Sequence, residues 1–250
     1  MRRLKLTLGY RGTRYAGWAA QSPALTRGRP TLQHTLEGAL EKSVGHPVRV
    51  VAAGRTDAGV HADAQVVAFD TSSTMPAVGL QRVVHRWLPD DLWVTDVAEV
   101  LSSFDPRRAA LRRWYRYAIW RQGLPFSAWQ GRSLVDDEPL DLTAMRQGAA
   151  SLLGRRDFAA LATDTTPGLW TVRTVFAADW RQVSQSLLIF EICADAFLKQ
   201  MVRAIVGSLL WVGSGRWTAE RFTAAIGSGD RRAAGPNAPA VGLSLHRIEY

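Results

Sequence analysis

One acid in this chain stands in surroundings that suit chemistry. In the run Ala53-Gly54-Arg55-Thr56-Asp57-Ala58-Gly59-Val60-His61-Ala62, Asp57 sits among small residues and glycines, two positions after Arg55. Apolar stretches at 48–52 and 65–69 flank the run and read as strands. A carboxylate on a tight turn at a strand end is exposed enough to act on a substrate and rigid enough to be aimed. A nearby guanidinium keeps it ionised at neutral pH. The same pattern also describes a turn aspartate bonded to local N–H groups, and Arg55 alone also reads as a surface arginine.

Two other groups could take part. In Arg112-Arg113-Trp114-Tyr115-Arg116-Tyr117 the period of two puts Tyr115 and Tyr117 on one strand face and Trp114 and Arg116 on the other. Alternating rings and guanidinium groups offer base stacking and phosphate contacts together; they also suit an ordinary strand with a solvated face. Lys199 and Arg203 are spaced i, i+4 on a helical pattern, beside two apolar rows. They form either a solvated stripe with snorkelling stems or cations turned toward a carboxylate such as Asp57.

The elements that must carry these residues follow from pattern. Leu4, Leu6 and Leu8 alternate with polar residues as in a half-buried strand. Residues 10–30 form a polar, Gly- and Pro-containing loop with Arg11, Arg14, Trp18, Arg27 and Arg29; Trp18 is its candidate for RNA contact. Thr31 caps a predicted helix to about 43, ended by Gly45 and Pro47. Strands at 48–52 and 65–70, a helix at 78–87 and a strand at 92–97 complete the first half. The second half reads as a strand at 114–120, a helix at 141–153, strands at 171–180 and 186–194, and a long helix at 197–212. A loop at 227–242 and a closing strand at 243–248 end the chain. Each half thus reads strand, helix, strand pair, helix. The expectation is an α+β fold of two similar units, 1–106 and 107–250, sharing a mostly antiparallel sheet flanked by helices, with a cleft between them.

Composition narrows the partners. The chain has 250 residues, 47% apolar and 21% charged, and a net charge of +9 carried mostly by arginine. Arginine suits planar recognition of phosphate, so the expected partner is a nucleic acid. A single cysteine, Cys193, lies in an apolar run; it reads as a buried thiol in a reducing, cytoplasmic setting. The first residues lack the apolar core of a secretion signal, and no apolar run approaches the ~18–20 residues of a membrane span. The five histidines form no cluster, and phosphate-loop and dinucleotide fingerprints are missing. A zinc ion has no obvious ligand set, and nucleotide cofactors have no visible seat.

Four blocks in order along the chain resemble the TruA family of tRNA pseudouridine synthases. They are Tyr10-Arg11-Gly12-Thr13-Arg14-Tyr15-Ala16-Gly17-Trp18 with Leu32-Gln33 and Leu36-Glu37; the Asp57 run with Gln65-Val66; Phe104-Asp105-Pro106-Arg107 through Tyr115-Arg116-Tyr117; and Phe197-Leu198-Lys199-Gln200-Met201-Val202-Arg203-Ala204-Ile205-Val206-Gly207. Ala238-Pro239-Ala240-Val241-Gly242-Leu243 is also similar. With the ten-residue match at the aspartate loop, the turn-residue reading gives way. The resemblance implies a pseudouridine synthase fold and an isomerase without cofactor. It implies Asp57 as the catalytic nucleophile, Arg55 filling the space of the flipped base, Tyr115 stacking on the uracil, and Arg203 pairing with Asp57. Arg14, Trp18, Arg107 and Lys199 lie in the matching blocks and, with Tyr115, are the expected RNA contacts. It further implies a homodimer acting on uridines 38, 39 and 40 of the tRNA anticodon stem-loop. The chain departs from the family at Ala19-Ala20, where glutamine usually follows the tryptophan, and at His85-Arg86-Trp87, where asparagine is favoured; both bear on RNA fit. A non-enzymatic RNA-binding protein and a synthase for another RNA, such as rRNA, are the alternatives at this point.

Overall fold

A computed structural model describes residues 1–126, 128–163, 168 and 170–250. The chain divides into two compact units, Met1–Leu111 with Ser244–Tyr250, and Arg112–Leu243. The first contains strands β1 (Arg2–Tyr10), β2 (Val51–Ala52), β3 (His61–Thr71) and β4 (Leu92–Val100), and helices α1 (Pro23–Thr26), α2 (Leu32–Val44) and α3 (Ala77–Val84). The second contains β5 (Arg112–Trp120), β6 (Leu134–Val135), β7 (Gly154–Asp157), β8 (Val172–Ser184) and β9 (Leu187–Ala194), with helices α4 (Leu142–Ala150), α5 (Met201–Gly213) and α6 (Ala219–Gly227). The last strand, β10 (Leu243–Glu249), returns to the first unit and runs parallel to β3, with Ser244 opposite His61. The pattern had left that strand with 107–250; its backbone ladder to β3 places it with the first unit.

The first unit is built on β1. Leu4, Leu6 and Leu8 are fully buried on one face, as their period of two requires. β1 pairs antiparallel with β3 and β4, Leu4 lying opposite Phe69 and Leu6 opposite Val67. α2 starts at Thr31, whose side chain accepts the His34 N–H, and stops at Gly45 with φ +79. Its buried Leu32, Leu36 and Leu40 share one face. The strand expected at 48–52 shrinks to Val51–Ala52. Val50 gives its N–H to the buried Glu37 carboxylate instead of to a neighbouring strand. β3 extends back to His61 instead of starting at 65, and the helix expected to 87 stops at Val84, leaving Trp87 exposed.

In the second unit β5 pairs with β9, β9 with β8 and β8 with β7, all antiparallel, while β6 lies parallel to β5. α4 packs against β8, α5 and α6. α5 is buried along most of its length, from Met201 to Gly213. It begins four residues later than its apolar rows suggest. Gln200 takes a left-handed φ of 62, so Phe197, Leu198 and Lys199 lie before the helix. Lys199 and Arg203 therefore do not form a helical i, i+4 pair. Cys193 is buried, as its apolar setting requires. Both units are mostly antiparallel sheet with helices packed upon it, an α+β architecture. Among the described residues no helix is long and apolar enough to cross a membrane, and no cluster of His, Cys, Asp and Glu could hold a metal.

Candidate active site

The Asp57 loop is held from three sides. Upstream, Ala53 N–H bonds Val66 O at 2.9 Å and the Gln65 amide donates to Gly54 O at 2.7 Å. Immediately before the acid, Thr56 is buried, and its hydroxyl lies 2.9 Å from the Tyr10 hydroxyl while its carbonyl accepts the Trp18 N–H at 3.0 Å. Burial pushes the Tyr10 phenol far above its ordinary range, so it stays protonated at every working pH. Downstream, Val60 N–H donates to Asp57 O at 3.2 Å across a turn whose third residue, Gly59, has φ +82. A type II turn demands that positive angle. Arg55 is exposed, Thr56 buried and Asp57 half-buried.

The loop from Arg11 to Trp18 clamps this turn. An added Cβ at Gly12 would stand 1.9 Å from Val60 O, and one at Gly17, where φ is +102, would stand 3.0 Å from Thr56 O and 3.3 Å from the Asp57 carbonyl carbon. Gly12 also donates its N–H to His61 Nδ1 at 3.2 Å. Only glycine permits so close an approach of two backbones. These supports were not picked out as functional from sequence. The signal was present, because two glycines five residues apart in a loop that otherwise carries side chains imply close backbone approach.

Arg14 ends the short 3-10 turn Gly12–Arg14, with a side chain 73% exposed and its Nε 3.5 Å from an Asp91 carboxylate oxygen. Tyr15 is buried and donates to the other Asp91 oxygen at 2.6 Å. Arg107 is exposed in a turn capped by Asp105, whose Oδ1 accepts the Arg107 N–H at 2.8 Å. Trp18 corrects the sequence expectation. It is only 2% exposed, with its ring centroid 6.0 Å from that of Tyr10, so it supports the loop and offers no face to RNA.

The second unit carries the other expected residues. Tyr115 is 8% exposed, and its ring meets Phe197 edge-on at 5.1 Å. Tyr117 is buried on the same strand face and donates to Pro239 O at 2.9 Å. Burial raises its phenol pKa, with the Arg203 guanidinium acting in the opposite direction. Arg203, half-buried on α5, is fixed by a reciprocal pair of bonds. Its Nε donates to Ala238 O at 2.8 Å, and Ala238 N–H donates to Arg203 O at 2.9 Å. The segment 235–242 sits close enough to α5 and Tyr117 that a Cβ at Gly207 would lie 1.8 Å from Pro236 O, and one at Gly242 2.6 Å from the Tyr117 ring. Lys199 is exposed, and its carbonyl accepts the Thr163 N–H at 3.2 Å. The structure therefore gathers Arg14, Arg55 and Asp57 around one braced loop, and Tyr115, Lys199 and Arg203 around the start of α5.

Known proteins resemble this chain along its whole length. A family model described as tRNA pseudouridine synthase matches residues 149–250. The tRNA pseudouridine synthase A of Myxococcus xanthus is 40% identical over all of this chain and 92% of the relative. That of Moorella thermoacetica is 39% identical over 99% of both chains. That of Pelobacter propionicus is 38% identical over the full length of both. With this identity along its whole length, and the Asp57 loop built as described, the chain belongs to the tRNA pseudouridine synthase family.

Proposed function

We propose that this isomerase converts uridine to pseudouridine at positions 38, 39 and 40 of the tRNA anticodon stem-loop, with Asp57 as the nucleophile on a flipped-out uridine. The observation that carries the reading is the Asp57 turn itself: a half-buried carboxylate on a backbone fixed through Thr56, Val60, Gly12 and Gly17. Isomerisation breaks the C1′–N1 bond and forms a C1′–C5 bond. The C5 proton leaves to solvent and N1 gains a proton, so the balance needs neither oxidant nor cofactor. A covalent bond from a carboxylate divides this into two easier steps. The base must first leave the stack, at a cost of about a few kcal/mol.

In this reading Arg55, exposed beside the acid, occupies the space the base vacates. Tyr115 stacks on the uracil and takes part in moving the C5 proton. Arg203 is the cation that keeps Asp57 ionised. Its pair of bonds to Ala238 fixes its backbone and Nε and supports that role. Arg14, Arg107 and Lys199, all exposed, grip phosphates, so binding weakens with salt. The enzyme acts as a homodimer with one tRNA spanning both subunits.

The test is tritium release from tRNA carrying [5-³H]uridine, with wild type beside Asp57→Asn, followed by mapping of the modified positions. Release by wild type alone, at 38–40, is the expected result. Release by Asp57→Asn at the wild-type rate would remove Asp57 from the chemistry. Tight tRNA binding without release would assign the chain another RNA target.

A further inference from the structure

Arginines and exposed aromatic rings gather at one end of the sheet in the second unit, outside the residues assigned to the reaction. The strand registers form a row across that sheet: Arg113 faces Ala194, Ala194 faces Val175, and Val175 faces Gly154. One residue nearer the end stand Arg112 on β5 and Arg155 on β7, the latter opposite Thr174; Arg156 follows, opposite Arg173. β7 is an edge strand and all four of its residues are exposed.

Two of these cations lie over rings that face water. The Arg155 guanidinium is 6.0 Å from the centroid of Trp170, which is 64% exposed. The Arg112 guanidinium is 4.6 Å from that of Phe176, which is 45% exposed where the register slips between Val175 and Ala177. Arg173 bonds Trp170 O at 2.8 Å and so ties down the backbone that presents the indole. The carboxylates at this end turn to backbone N–H groups. Asp157 Oδ1 accepts from Ala159, and Asp195 Oδ1 accepts from Thr174 and Ala196. Guanidinium groups over open rings are the mixed charge-and-stacking surface that RNA backbones and bases fit.

The cluster is close to the expected uridine site without being part of it. Asp195 is two residues before Phe197, whose ring touches Tyr115. Three strand spacings of about 4.8 Å separate β5 from β7, and three residues of about 3.4 Å separate Tyr115 from Arg155 along the strands, giving roughly 18 Å between them. That is too far to touch the same nucleotide.

We propose that Arg112, Arg155 and Trp170 form a second RNA contact that grips the phosphate backbone of the substrate tRNA away from the target nucleotide. This rests on the uridine-site reading above, which puts the target uridine at Tyr115. Its role is affinity and orientation of the tRNA.

The experiment is filter binding of unmodified tRNA over a series of salt concentrations, with Arg112→Gln/Arg155→Gln beside wild type. Each phosphate contact contributes about 0.9 to the slope of log K against log salt. Two lost contacts lower the slope by about 2 and raise Kd at least about tenfold near ~0.15 M salt. A control, Arg146→Gln/Arg181→Gln, removes the same charge from the other end of β8, where these arginines lie beside Asp179 and Glu191. It is expected to leave the slope within about 0.5 of wild type. An unchanged Kd and slope in the Arg112/Arg155 variant would overturn the proposal. So would an equal loss in the control, or a loss confined to kcat. Trp170→Ala, in a loop and outside the core, is expected to weaken binding without changing the salt slope, and a wild-type Kd would remove the stacking part. Tritium release by wild type reports separately on the catalytic reading, so the two can fail independently.

Discussion

Gly12→Ala is the sharpest probe of how the aspartate is aimed. The new Cβ would stand 1.9 Å from the Val60 carbonyl oxygen, whereas real Cβ atoms essentially never come within 3.0 Å of another heavy atom, so the segments must part by at least 3.0 − 1.9 = 1.1 Å. Both sides of the contact are backbone, and no rotamer change relieves it. The Val60 N–H closes the turn on Asp57 O, and the Gly12 N–H bonds His61 Nδ1, so the displacement reaches the residues on both sides of Val60. Overpacking of this kind costs about 1–3 kcal/mol, and misplacing a reacting group by about 1 Å costs on the order of 10²-fold in rate. The expected result is a melting temperature lower by a few degrees and a single-turnover tritium-release rate lower by roughly 10²-fold. A rate within about twofold of wild type, with the stability loss present, would show that the first loop does not set the position of Asp57, and the bracing argument would fail.

Gly45→Ala supplies the matching control. Its φ of +79 strains alanine by about 1 kcal/mol, but the Cβ meets open space, so stability falls while the tritium-release rate stays at wild type. Tyr117→Phe removes the bond to Pro239 O at 2.9 Å and is expected to cost about 1 kcal/mol in urea unfolding. It also loosens the 235–242 segment that holds Arg203, so kcat falls with KM little changed; an unchanged kcat would separate that segment from catalysis. Asp105 gives a pH signature. The Arg108 N–H holds its carboxyl below the usual 3.8, with smaller help from the Arg107 N–H and nearby arginines. A depressed folded pKa stabilises above the unfolded value and is lost as pH falls through the folded one. The difference in melting temperature between wild type and Asp105→Asn should therefore narrow as pH falls through 3.8 and below, and a difference that widens would reverse the assignment.

Much of the fold was legible because it rests on periodicity. Leu4, Leu6 and Leu8 point inward as their alternation requires, and Thr31 and Gly45 bound α2 as their side-chain and backbone preferences require. The failures are tertiary. Residues 48–50 have the apolar pattern of a strand, yet a buried carboxylate fourteen positions upstream of Val51, on α2, captures the Val50 N–H and removes it from the ladder. The apolar rows of α5 run back to Phe197, but Asn237 donates to the Gln200 side chain at 2.6 Å, and Gln200 stands in the left-handed region before the helix. That partner lies 37 residues away and leaves no local trace. Trp18 looked like an RNA-facing ring because its loop is polar and basic; its burial follows from packing on Tyr10, a contact across eight residues. α6 was missed although its signal is local. Thr218 caps it, and Phe222 and Ile226 are buried four residues apart.

The candidate site was legible for a different reason. The family resemblance singled out Asp57, Arg55, Tyr115 and Arg203, where residue type and spacing had left each open, but it said nothing of what holds them. The structure answers with glycines in both units. In the first, Gly12 and Gly17 admit the loop that braces the Asp57 turn; in the second, Gly207 and Gly242 admit the segment that bonds Arg203 and Tyr117. At each place a single methyl group would collide with backbone or a buried ring, so the specificity of these blocks lies as much in missing side chains as in reactive ones. A catalytic carboxylate must be fixed within about 0.5 Å to be useful. Two backbones in direct contact achieve that with fewer degrees of freedom than any arrangement of side chains, because nothing between them can change rotamer. With Asp57 as the proposed nucleophile, the glycines of the motif become part of the aiming device, and substituting them should be felt in the rate before it is felt in binding.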